Sequence, residues 1–238
     1  VAPHMVHGTV HNKCKSMRIS RSNTTCPAYA LSNYPLQSVS TYRYLGIHIT
    51  NGLFWKQHIQ YITSKANCSL GYLKRDFSFA PVQLKRLLYI SYVSPKLEYA
   101  SSIWDPHQFT LFNEIESVQN RAVRFFLSNY HRSVSVLLMK STLHILLLSI
   151  RRKNLRISLF HKIYHHNPFL RSLWIHPAPY HSARHDHAYK VSVPHHNTLA
   201  CSQSFLPKTS IDWNNLPASL VSITNPTRFK IALINSES

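Results

Sequence analysis

Apolar residues at 59, 62, 66, 70 and 73 (Ile59, Ile62, Ala66, Leu70, Leu73) recur in steps of three and four. Such spacing lays one apolar stripe along a helix, so the pattern predicts a helix over 56–75. Pro81 stands where proline opens a helix well, and Leu84, Leu87, Leu88 and Ser91 continue that helix until Pro95 ends or kinks it. Over 109–127 the stripe is Phe112, Ile115, Val118, Ala122 and Phe125, with Arg121 and Arg124 pointing away from it. The segment 143–166 is apolar around most of its circumference, leaving a strip of Arg151, Asn154, Ser158, His161 and His165. A helix packed on several sides needs that distribution, which predicts a central position.

Before residue 50 the period changes. Residues 13–20 alternate, with Lys15, Met17 and Ile19 opposite Cys14, Ser16, Arg18 and Ser20, as a strand would. Residues 29–36 suggest a hairpin turning at Ser32 and Asn33, because asparagine tolerates left-handed turn geometry. A third strand is expected over 42–49, with Gly46 inside it allowing a bulge or the close approach of another backbone. Residues 1–12 lack periodicity and read as loose. Past Pro168 the chain is rich in Pro, His and Ser and reads as a linker with one strand near 188–193. Two short helices are then expected, around Trp213 and over 227–233. The fold class is mainly α, a helical bundle preceded by a small antiparallel hairpin and strand region, α+β overall. The divisions expected are 1–50, 51–167, 168–203 and 204–238. Trp104 and Trp213 are expected as core anchors.

Charge changes this picture more than composition does. Lys and Arg number 27 against 8 Asp and Glu, a net charge of +19 in 238 residues. A balance so basic calls for a polyanion, nucleic acid first. An apolar share of 44% is ordinary, and no apolar run approaches the ~20 residues of a spanning helix. The longest, 143–150, is interrupted by His144 and Ser149. Four scattered cysteines read as reduced thiols rather than a disulfide framework. With no signal-peptide pattern at the start, an intracellular protein, nuclear or cytoplasmic and not secreted, is expected. The opening on Val1 suggests a fragment.

Three basic groups stand out: Lys13, Lys15, Arg18, Arg21 and Arg43; Arg121 and Arg124; and Arg151, Arg152, Lys153 and Arg156. With aromatic neighbours such as Tyr42, Tyr44, Trp55 and Tyr61, they suit backbone phosphates and unpaired bases. Other chemistry has weaker support. Four glycines cannot build a glycine-rich phosphate loop. His4, His7, His11 and Cys14 have spacings a metal could use, but chance histidines in a chain with 17 explain them better. No nucleophile-elbow pattern accompanies the histidines, which argues against a hydrolase. No cofactor is expected.

Six words, in order, resemble one family. They are Lys-Cys-Lys-Ser-Met-Arg-Ile at 13–19, Tyr-Leu-Gly at 44–46 and Ser-Lys-Ala-Asn-Cys-Ser-Leu-Gly at 64–71. Pro-Lys-Leu-Glu-Tyr-Ala-Ser-Ser-Ile-Trp-Asp at 95–105, Glu-Ser-Val-Gln-Asn-Arg-Ala-Val-Arg at 116–124 and Ile-Asp-Trp-Asn-Asn-Leu-Pro at 211–217 complete the set. The chain resembles the part after the active site of LINE-type, non-LTR retrotransposon reverse transcriptases of the jockey-like kind. The resemblance implies last palm strands, a thumb-like helical domain and a C-terminal extension. It implies that Tyr44, Leu45 and Gly46 form the primer-side element, and that the chain holds an RNA or DNA template–primer duplex by its backbone. The palm and fingers of the parent polymerase would be the missing partner, and the early strands would be left as unpaired edges. The family's Asp-Asp pair, which holds two catalytic metal ions, has no counterpart among Asp76, Glu98, Asp105, Glu114, Glu116, Asp186, Asp212 and Glu237. The expectation is a non-catalytic chain that binds nucleic acid. A free-standing basic nucleic-acid-binding protein is the alternative.

Overall fold

The computed structural model describes residues 14–20, 27–31, 33–180, 182 and 186–236. His4, His7, His11, Lys13 and Arg21 lie outside them. The protein is mainly α with a small β region, and it divides into two compact units, Val1–Gln60 and Tyr61–Ser238.

The first unit holds three two-stranded sheets among its described residues. β1 (Lys15–Ser16) runs parallel to β4 (Gln37–Ser38), while β2 (Ala30–Leu31) pairs antiparallel with β3 (Tyr34–Pro35). That second pair is the hairpin expected at 29–36, and Asn33 takes φ 67° in its turn. The strand expected over 13–20 shrinks to two residues. Ile19 beyond it is exposed, so the alternation there has no buried face to serve.

The strand expected over 42–49 is instead two strands. β5 (Thr41–Tyr44) and β6 (Ile47–Thr50) form an antiparallel hairpin in which Tyr44 faces Ile47 and Arg43 faces His48. Leu45 and Gly46 are its turn, at φ 46° and 84°. Two successive positive φ values define the turn whose twist matches a two-residue hairpin. Gly46 is therefore a turn glycine, not a bulge within a strand; β5 and β6 pair with each other along one side, and no third strand joins either of them among the described residues. Ile47 is buried and Leu45 exposed. The His48 backbone N–H donates to His58 Nδ1 at 3.3 Å.

Helices follow. α1 (Lys56–Asp76) buries all five residues of the expected stripe. In α2 (Val82–Tyr92), of the residues expected to continue the helix, Leu84 and Leu87 are exposed, while Lys85 and Tyr89 are buried. Lys85 is accommodated because its ammonium donates to Ser128 Oγ at 3.2 Å and lies 4.9 Å from the Phe125 ring centroid. Proline ends α2 as expected, and α3 (Ser94–Glu98) starts over Pro95. Ala100 at φ 52° turns the chain into α4 (Ser101–Trp104). Trp104 there is fully buried and donates its indole N–H to the Tyr99 carbonyl at 2.8 Å.

α5 (Phe109–Phe126) buries the expected residues except half-buried Phe112. It packs on α2, on α6 (Val136–Thr142) and on α7 (Leu148–His166). Glu116 of α5, buried, accepts from the Lys140 ammonium at 3.1 Å and from the Ser149 N–H at 2.9 Å. A carboxylate at the first turn of α7 is favoured by the helix dipole.

α7 is central, as the sequence implied: α4, α5, α8 (Pro168–Trp174), α10 (Phe205–Asn214) and α12 (Pro226–Asn235) all pack on it. It begins five residues later than expected, and its polar strip faces inward. Asn154 and His161 are buried, whereas Leu159 is exposed.

The segment expected as a linker contributes to the core. Ile175, His187 and Val191 are buried, and Pro177 bridges Val191. α9 (Leu199–Ser202) and α11 (Ala218–Val221) complete the helices among the described residues. Trp213 anchors this second core with Phe160, its ring centroid 5.2 Å away, and donates to the Tyr189 carbonyl at 3.0 Å. Three imidazoles of α7 donate through Nε2 to the 221–224 backbone: His161 to Ile223 O at 2.6 Å, His165 to Val221 O at 3.3 Å and His166 to Thr224 O at 2.9 Å. The His161 ring stacks on Phe229 at 4.0 Å. No helix among the described residues is long and apolar enough to cross a membrane.

Two outcomes follow from these contacts. Gly46→Ala should cost roughly 1–2 kcal/mol, because a Cβ is strained at φ 84°; Leu45→Asn should be neutral or stabilising, since asparagine suits that turn position. Denaturant titration of both variants measures this. Burial holds His161 and His165 below the ordinary histidine value of 6.5. The folded state therefore favours their neutral forms, and the stability they contribute is complete above pH 6.5 and lost as pH falls below it. The unfolding midpoint should drop between pH 7 and 5, with a smaller drop in His161→Phe.

Candidate nucleic-acid interface

The three basic groups of the sequence meet different fates. In the group on α7, Arg152 is 1% exposed and Arg156 3%. Arg152 Nε donates to Asp105 Oδ1 at 2.9 Å, and Arg156 Nη1 donates to Asp105 Oδ2 at 2.6 Å. Arg156 Nη2 reaches Asp212 as well. Lys208 of α10 joins the same Asp105 oxygen at 2.7 Å. Burial alone would raise the Asp105 carboxyl, yet Lys208 and Arg152 hold it below the usual carboxylate range. Arg151 pairs with Glu98 through two hydrogen-bonding nitrogens, Nε at 2.6 Å and Nη2 at 3.0 Å.

This corrects the expectation for Arg152 and Arg156, which are buried and offer no open face to a phosphate; Arg151 is half-buried, with its guanidinium taken up by Glu98, and all three join α7 to other elements. Their spacing of one and four residues suggested a surface run, but the partners that claim them lie 47 to 56 residues away in sequence.

Arg121 and Arg124 keep their expected placement on the outer side of α5. Arg121 is exposed and anchored by its own helix, donating from Nε to Ser117 O at 3.2 Å and from Nη2 to Ser117 Oγ at 2.8 Å. Arg124 Nη1 donates to the His131 carbonyl at 2.8 Å, which ties the end of α5 to the loop that follows. Lys74 of α1 joins them, a residue the sequence did not single out. Its ammonium lies 5.8 Å from the ring centroid of Tyr130, which is 57% exposed. Burial, and after it the nearby Arg121 charge, push the Lys74 pKa down. Nothing local in the sequence links Lys74 to Arg121, since only the packing of α1 beside α5 brings them together.

In the first unit, Lys15 is exposed and donates to Gln37 Oε1 at 2.5 Å. Arg18 is half-buried and Arg43 exposed. Arg43 lies beside His48 and, after burial, is the second cause lowering the His48 pKa. Tyr44, Leu45 and Gly46 are brought together at the hairpin tip, with Tyr44 58% and Leu45 71% exposed. Burial, then the neighbouring His48, pushes His58 down to about 4, so its ring is neutral and accepts from the strand at neutral pH. Among the described residues no group of three or more His, Cys, Asp or Glu side chains is arranged to hold a metal ion.

Comparison of the chain with protein-family models, with curated proteins and with solved structures finds no match.

The buried ion cluster yields a sharp stability prediction. Asp105→Ala would leave Arg152 and Arg156 buried with one fewer acid and should destabilise the helical unit by about 3–5 kcal/mol. Arg121→Ala, at the surface, should change stability by less than about 0.5 kcal/mol. Chemical denaturation of the two variants side by side measures the contrast.

Proposed function

We propose that the chain is a non-catalytic nucleic-acid-binding piece of a LINE-type, jockey-like retrotransposon reverse transcriptase. In the parent RNA-directed DNA polymerase it would help hold the template–primer duplex through backbone contacts. The observation that carries the binding reading is the distribution of charge. Glu98, Asp105, Glu116, Asp186 and Asp212 are paired with Arg151, Arg152, Arg156, Lys140, Lys190 and Lys208. Few acids remain to oppose the other Lys and Arg of a chain carrying +19. Lys74, Arg121 and Arg124 with the exposed ring of Tyr130 then offer what a nucleic-acid backbone and an unpaired base require: fixed cations and an aromatic face. The six sequence words support the retrotransposon reading, and the missing Asp-Asp pair supports the absence of catalysis.

One observation favours the second reading, a free-standing basic binding protein. The hairpin of β5 and β6 pairs its own strands and buries Ile47, so part of what a palm would supply is met within the chain.

Binding to a labelled RNA–DNA duplex should weaken steeply with salt, by about 0.9 log units per log unit of salt for each B-DNA-like phosphate contact, less on single strands. Replacing Lys74, Arg121 and Arg124 together with Gln should weaken binding and reduce that slope by about 2–3, while thermal unfolding stays unchanged. A flat salt dependence in the unmodified protein would defeat the binding reading. Primer extension with Mg²⁺ or Mn²⁺ should give no product; extension above background would defeat the non-catalytic reading.

A further inference from the structure

One cavity of the helical unit is independent of the basic face described above. It encloses about 350 Å³ between α2, α3, the 144–146 segment, α7 and α12. Ligand pockets begin at about this size, and at roughly 30 Å³ per water the space admits about a dozen water-sized groups. Its walls are mostly apolar, with Ile90, Ile145, Leu146, Leu155 and Ile234 contributing.

The charges around it are unequal. Glu98 and Arg151 neutralise each other as a bidentate pair. Arg86 on α2 and Lys230 on α12 also line the cavity and are exposed. Neither has an acidic partner among the described residues. The lining also holds two deeply buried polar side chains. Asn154 is 6% exposed, and both atoms of its amide lack a hydrogen-bond partner; Tyr89 is 1% exposed, with Gln119 beside its hydroxyl. Native proteins seldom bury polar groups unpaired without a reason. An apolar chamber lined by two cations from different helices, neither with an acidic partner among the described residues, is complementary to a molecule carrying one negative charge on an apolar body.

We propose that this cavity binds a small amphipathic anion, a carboxylate or phosphate on an apolar body of about a dozen non-hydrogen atoms. Arg86 and Lys230 hold the anionic group, and the body lies against Leu155, Leu146 and Ile90. Such a group could be a free molecule or the chain of an anionic lipid; the chemistry recognised is shared, and the test separates the sources.

Decanoate is the probe, titrated calorimetrically into the intact chain, with 1-decanol, acetate and vesicles of anionic phospholipid as further arms. Saturable one-to-one binding of decanoate is expected, with decanol weaker and acetate silent. Arg86→Gln combined with Lys230→Gln should weaken decanoate by about tenfold. Leu155→Trp, which fills the chamber, should abolish binding while cooperative unfolding persists; Ile90→Trp at the rim serves if that variant fails to fold. Saturable binding of both decanoate and vesicles, each lost in the filled variant, would extend the site to lipid chains. No saturable binding of decanoate, equal binding by the filled variant, or binding to vesicles without binding to decanoate would overturn the proposal.

Discussion

Asp105 is the point on which the helical unit turns. Its two oxygens receive Arg152 and Arg156 from the central helix and Lys208 from α10, and Asp212 shares Arg156. Residues separated by up to 103 positions thereby meet at one carboxylate. A buried ion pair gains little net stability over apolar packing, but losing one partner is expensive because a charge is then buried alone. With two arginines under 4% exposed beside it, Asp105 fixes where α4, α7 and α10 can sit. Trp104, the residue before it, is buried and hydrogen-bonded, so the sharp turn at Ala100 presents an apolar anchor and an ionic one in succession.

That constraint also divides the cations into two populations. A chain with 27 basic and 8 acidic residues must place its few carboxylates where uncompensated charge would cost most, which is indoors. Glu116 with Lys140 repeats the logic at the start of α7. Among the cations left outside, Arg121 adds its repulsion to the burial that already lowers Lys74. A polyanion relieves that repulsion, which makes the account of the fold and the account of binding one electrostatic statement.

Much of the architecture was legible in the sequence, for identifiable reasons. Period 3.6 located α1 and α5 because their apolar residues pack on one side, even though Thr63 of α1 and Glu116 and Gln119 of α5 are buried beside them. It did not reveal the inward face of α2, where Lys85 and Tyr89 are buried while Leu84 and Leu87 are exposed, because a lysine is admitted by a hydroxyl and a ring that lie about forty residues away. The polar strip of α7 was visible, but its direction was not: Asn154 and His161 face inward, and the partner of His161 comes from a distant segment. The hairpin at 42–49 was missed because Leu-Gly is a weaker turn signal than Asn-Gly, and a glycine among β-branched residues reads equally as a bulge. Of the candidate interface, Arg121 and Arg124 were readable from the helix period alone. Lys74 and Tyr130 were not, since their proximity depends on tertiary packing, and the arginines of α7 looked like a surface cluster until their acids were located.

The most direct measurement is an arginine-modification footprint of the chain with phenylglyoxal, read by mass spectrometry with and without a bound RNA–DNA duplex. The account predicts that Arg121 and Arg124 react in the free protein and are protected by the duplex, while Arg152 and Arg156 stay unreactive in both states. Equal reactivity of Arg121 and Arg124 with and without duplex, or duplex-dependent protection at Arg152 and Arg156, would contradict it.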